Sequence, residues 1–239
     1  MTHLAPQLDY TVRRSARAKR VRLTVTPQHG LVVVVPNRWR GNLDAIVASK
    51  REWASRALAK VAERRAEYLA EPETLLPEMI ELRALTRSLP VSYKPTAATT
   101  ARAREHGGVL VVSGCDEPEA RLAALRRWLT AEAKRMLPER LADIARVRAV
   151  EPPAEIRVSA ARSRWGSCSS GGRISLNRTL LFIPPELCDY VIAHELAHLA
   201  HMDHSPRFWA HLASMDERAL EHRAAMKDAA SCVPVWVDA

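Results

Sequence analysis

Five consecutive residues, His194-Glu195-Leu196-Ala197-His198, constrain this chain more than any other feature of it. Two histidines four apart share a face only on an α-helix, where at roughly 100° per residue they stand about 40° from each other and one turn apart. Imidazoles so placed can hold one divalent ion between them. Glu195 projects about 100° to the side of His194, near such an ion without ligating it. That is where a general base acting on water belongs. Tyr190-Val191-Ile192-Ala193 and the intervening Leu196-Ala197 are apolar, so the helix is expected to be buried. Buried polar groups need partners, and a metal ion is the simplest one for both histidines. Pro184-Pro185 opens this helix, which is predicted to run to about His201.

A third ligand is needed. His204 lies ten residues after His194, the ligand spacing of the long zincin signature HExxHxxGxxH. His201 stands at the glycine position of that signature, so the return of the chain is expected either through His201 in a left-handed conformation or at Met202-Asp203. His201 is itself a candidate ligand, about 20° from His194 in direction but about 10 Å further along the axis, too far for three turns of one straight helix to converge. Glu217 and Glu221 are carboxylate alternatives. The reading favours His194, His198 and His204 as metal ligands and Glu195 as the catalytic residue, with Zn2+ as cofactor.

Upstream, Ser163-Arg164-Trp165-Gly166-Ser167-Cys168-Ser169 precedes a strand ending in Leu176-Asn177. An edge strand beside the helix can hold an extended substrate by backbone hydrogen bonds. Arg164 and Asn177 are the expected substrate-binding residues, set to meet a carbonyl or to support the site. The four cysteines, Cys115, Cys168, Cys188 and Cys232, have no close pairing, and reduced thiols are expected. Cys168 is not expected to act as a nucleophile.

The 239 residues suffice for one large domain or two small ones. Residues 9–35 read as a β-hairpin or meander, with Gln28-His29-Gly30 as a turn, and a long helical stretch follows from Asn42 to about Leu69. Residues 77–113 look β-rich, with His106-Gly107-Gly108 as a turn. Asp116-Glu117-Pro118-Glu119 begins a helix that Pro138 breaks or kinks. Strands are expected at Ile156–Val158 and Arg173–Leu176, and a last helix from Ser205-Pro206 to about Ala229. The fold class is α+β: a mainly β amino-terminal region with a long helix, 1–115, preceding a zincin-like part with the HExxH helix and a small β-sheet, 116–239. No apolar run reaches the length of a membrane span and no signal peptide is visible, so a cytoplasmic location is expected.

These residues together resemble a known family. SRWGSCSSGGRISLN and DYVIAHELAHLAHMDHSPRFW are similar to the YgjP-like metal-dependent hydrolases, a zincin-type group with relatives among SprT-like and WLM proteases. RRSARAKRVRLTV, VVVVP and the tryptophan of KREW resemble that family's amino-terminal part. The resemblance implies zinc on His194, His198 and His204, with Glu195 catalytic, and a metallopeptidase acting on a peptide or protein substrate.

Two other readings start from charge. The net charge of +9 favours acidic partners. Arg162, Arg164, Arg173, Arg178 and Arg207 surround the motif in sequence and suit phosphate oxygens, which raises a nucleotide (NTP) pyrophosphatase as the alternative. Phosphoryl chemistry, however, usually prefers oxygen-ligated magnesium. Arg13, Arg14, Arg17, Lys19, Arg20 and Arg22 form a basic run, which raises nucleic-acid contact or a nucleic-acid-associated protease.

Overall fold

The computed structural model describes residues 8–16, 18–26, 29–68, 75–162 and 164–237. Arg17, Gln28 of the expected turn, Leu69 at the expected helix end and Ser163 lie outside the described residues. The chain divides into two compact units, Met1–Leu75 and Leu76–Asp238.

In the first unit, β1 (Tyr10–Ser15), β2 (Arg22–Thr26) and β3 (Gly30–Pro36) form a sheet in the order β1-β3-β2. β2 and β3 make the expected hairpin, but β1 runs parallel to β3 on its other edge, so the three strands are not a meander. Leu31, Val33 and Val35 alternate onto one face of β3 and are almost fully buried, with Val47 and Ala54 against them. The expected single helix is two, α1 (Leu43–Ser49) and α2 (Arg51–Tyr68), because the backbone leaves the helical region at Lys50 (φ −112°, ψ 13°). Asn42 caps α1, its Oδ1 accepting from the Ala45 amide at 3.0 Å.

The second unit begins with β4 (Met79–Leu82), β5 (Arg87–Pro95), β6 (Arg102–His106) and β7 (Val109–Gly114), ordered β4-β5-β7-β6. Gly107 and Gly108, both with positive φ (58° and 78°), turn β6 into β7. This sheet packs on α3 (Pro118–Val147). Arg87 of β5 donates to Glu132 of α3 at 2.7 Å, and Arg127 of α3 donates to the carbonyl of Ala101 at 2.8 Å. The units therefore part at Leu75 and Leu76 rather than at 115/116: Asp116 to Glu119 only starts a helix whose buried face the preceding sheet needs. α3 runs unbroken through Pro138, held on either side by fully buried Leu137 and Leu141.

A second sheet carries β8 (Glu155–Ser159), β9 (Gly166–Cys168) and β10 (Arg173–Asn177), with β10 in the middle, β8 parallel and β9 antiparallel to it. Helices α4 (Pro185–Ala200), α5 (Pro206–Met215) and α6 (Ala219–Ala225) follow. The expected last helix is thus two. Asp216 leaves helical geometry (φ −140°, ψ 100°), and its carboxylate takes the Arg218 amide at 3.0 Å and His222 Nδ1 at 2.7 Å. A short acceptor of this kind competes with the helix for backbone donors. The described residues make a mixed α+β structure of six α-helices and three small sheets. None of their helices is long and apolar enough to cross a membrane.

Candidate active site

α4 is apolar nearly all round, so its polar side chains are exceptions with a purpose. Glu195 is 6% exposed and His198 9%. The one-turn spacing brings the rings of His194 and His198 to 4.8 Å between centroids. α4 ends at Ala200. His201 is extended (φ −138°, ψ 101°), not left-handed, and no residue from 201 to 204 has a positive φ. The return is therefore not a left-handed turn at His201; the chain bends at Met202 and Asp203, the other place expected for it. It delivers His204, whose Nε2 lies 3.1 Å from that of His194, while His198 Nε2 lies 3.2 Å from the same atom.

The two separations to His194 suit one tetrahedral ion, and all three ligand atoms lie within 4.8 Å of one another. Ligand bonds of about 2.0–2.1 Å set neighbouring nitrogens roughly 3.3 Å apart. The tautomers agree. His198 Nδ1 sits 2.9 Å from the His201 carbonyl, which can only accept, so the neutral ring carries its proton there and turns a bare Nε2 to the cluster. His201 thus serves with its backbone, not its ring. Among the described residues the group able to hold a metal is His194, His198 and His204. Glu217 and Glu221 are not in it, and Glu221 pairs with Arg218 at 2.8 Å.

Phe208 of α5, fully buried, stands against all three imidazoles, with centroid separations of 4.9, 4.6 and 4.8 Å to His194, His198 and His204. Trp209 lies beside His204 at 6.0 Å and carries the Arg223 guanidinium over its ring at 4.5 Å. Tyr190, one turn before His194, touches both His194 and His222. Burial, then the neighbouring His198 and His204, push the His194 imidazole down to about 4. Its Nδ1 is buried without a partner among the described residues.

Glu195 lies against β9. Its Oε2 is buried without a hydrogen-bond partner among the described residues, and burial raises its carboxyl to about 7 against the opposing field of Arg164. β9 lies directly on it: a Cβ at Gly166 would come within 2.6 Å of Glu195 Oε1. β9 pairs with β10 on one side and is the edge of its sheet. Burial, then the Glu195 charge, raise the Cys168 thiol, which disfavours the thiolate a nucleophile needs.

The expected substrate-binding residues part company. Arg164 is exposed near Glu195. Asn177 is 3% exposed and fully engaged: its Nδ2 donates to the carbonyls of Ala161 (2.5 Å) and Arg164 (2.9 Å), and its Oδ1 accepts from the Thr179 amide (3.0 Å). No donor is left for a substrate, so Asn177 fastens the loop that leads into β9. Two arginines of the phosphate reading are likewise engaged. Arg173 is ion-paired with Glu155 at 2.5 Å, and Arg178 donates to the Arg126 and Val237 carbonyls and to Thr130.

A family model described as YgjP-like, metallopeptidase domain, matches residues 19–229. The chain belongs to the YgjP-like metallopeptidase family. The family makes the chain a metal-dependent hydrolase, and among its described residues the three imidazoles are a group that could hold a metal ion. Among solved structures it is similar to the metallopeptidase zymogen of Pyrococcus abyssi abylysin, at 26% identity over 38% of this chain and 91% of that chain, with a TM-score of 0.35. No curated protein matches it.

Phe208, Trp209, Arg223, Tyr190 and Gly166 were not singled out by motif spacing. HSPRFW carries two aromatics directly after the third histidine, a signal that the site continues into α5.

Proposed function

We propose that this YgjP-like protein is a zinc peptidase in which His194, His198 and His204 hold the ion and Glu195 moves the protons. The convergence of three Nε2 atoms at 3.1 and 3.2 Å carries this reading. An all-imidazole set with a fourth position open suits zinc better than magnesium or calcium, which take oxygen. Zinc held there supplies Lewis acidity, polarising a carbonyl and acidifying water.

The chain's own residues do the rest. Glu195 accepts a proton from the attacking water and returns it to the departing amine nitrogen. The free edge of β9 offers backbone N–H and C=O groups to an extended peptide, laying its carbonyl above Glu195. The Arg164 guanidinium, on the loop that Asn177 holds, faces the charge that develops on that carbonyl oxygen. The zincin-like arrangement is one helix for two ligands and the base, an extended return for the third ligand, and an edge strand for substrate.

The test replaces Glu195 with Gln in the zinc-loaded protein and follows metal content and hydrolysis of an unstructured protein. Full metal content with loss of turnover is expected. A Glu195→Gln variant that still cleaves overturns the role, and a wild-type protein that hydrolyses nucleoside triphosphates but not peptides overturns the substrate class.

A further inference from the structure

The molecule's positive charge is not spread evenly. Residues 1–75 carry fourteen Lys and Arg against seven Asp and Glu, a net +7, whereas residues 76–239 carry twenty-two against twenty, a net +2. Between Tyr10 and Leu43 there are eight Lys and Arg and no carboxylate at all. A basic face that merely keeps a protein dissolved is ordinarily interspersed with acids.

The fold puts part of this charge on one open surface. Alternation sends Leu31, Val33 and Val35 into the core of the first unit and Val32 and Val34 to the opposite side of the sheet. Register then places Arg13 and Arg22 on either side of Val34, and Thr11 and Thr24 on either side of Val32. Arg13 and Arg22 are exposed, as are Lys19 and Arg20 in the connection between β1 and β2. Among the described residues none of these four is in an ion pair. Strands about 4.8 Å apart set the two arginine backbones roughly 10 Å from each other. Among the described residues of the three strands the one aromatic, Tyr10, packs against the core, so the strands themselves give this face no aromatic platform of the kind single strands stack on.

We propose that the open face of the β1-β3-β2 sheet docks a nucleic-acid duplex through its phosphates, without reading sequence. This stands apart from the peptidase reading and does not depend on it. A duplex presents one negative charge per about 1.7 Å, a density that answers a carboxylate-free stretch.

The experiment measures binding of the full chain to a short DNA duplex across salt. With Arg13, Lys19, Arg20 and Arg22 each meeting a phosphate, the log–log slope is about −3.6, so affinity falls about a hundredfold from about 50 to about 200 mM salt. Arg13→Ala with Arg22→Ala should flatten that slope by about 2, while Lys94→Ala with Lys227→Ala in the second unit leaves it unchanged. Melting temperatures equal to wild type show that the variants are folded. The proposal is overturned if the duplex is not bound, if the Arg13/Arg22 variant keeps the wild-type slope, if a single strand binds more tightly than the duplex, or if anionic lipid vesicles compete with the same arginine dependence.

Discussion

Gly166 and Glu195 approach so closely that a single methyl group on the glycine would stand 2.6 Å from one carboxylate oxygen and 2.7 Å from Cγ. The carboxylate cannot swing clear, because it is 6% exposed and enclosed by α4 and β9. The edge strand and the proposed base are therefore positioned by one contact. Gly166→Ala should lower peptide turnover at least tenfold, with metal content unchanged; turnover and bound zinc measured on the same sample decide it. Full activity in this variant would mean that β9 does not define the position of Glu195.

Phe208 touches all three imidazoles, edge-to-face with His194 and His204 and tilted against His198. Phe208→Ala removes a fully buried ring and should cost about 3–5 kcal/mol of stability. It should also weaken metal binding, because the side chain in contact with all three rings is lost. Denaturant unfolding of the metal-free protein isolates the first effect, and competition with a coloured chelator measures the second.

Asn177 spends its whole amide on three backbone groups. Asn177→Leu leaves the buried Thr179 amide without its partner, at about 1–3 kcal/mol, and frees the Ala161 and Arg164 carbonyls from Asn177. The expected outcome is a loosened segment around Ala161 to Trp165, seen as faster amide exchange there and as new cleavage by an added protease. KM for a peptide should rise through the loss of β9 alignment, while metal content holds.

Metal removal should destabilise the second unit. An ion present at about a thousand times its Kd adds about 4 kcal/mol to the state that binds it. Chelation should lower the melting temperature, and His204→Ala should abolish that difference while leaving the metal-free melting temperature close to wild type. His204 is exposed, so its own packing contributes little.

The HExxH helix, the glycine turn at 107–108, the cap at Asn42 and the pair of strands flanking residues 163–172 were legible in the sequence, because each follows from local chemistry or from a period of 3.6 or 2. So was the convergence of His194, His198 and His204, because one helix turn and a short return leave few other ways to meet. The parallel placement of β1, the joining of β4–β7 to α3, and the break at Asp216 were not legible. Strand order and helix ends there depend on partners distant in sequence, and a run of turn residues looks the same inside a unit as between two. The role of Asn177 shows the same limit. Its amide is chemically fit for a substrate, and only the tertiary structure turns it toward Ala161 and Arg164 and so makes it a fastener. A residue's chemistry is written in the chain, but which groups exhaust that chemistry is decided by what folding brings within 3 Å of it.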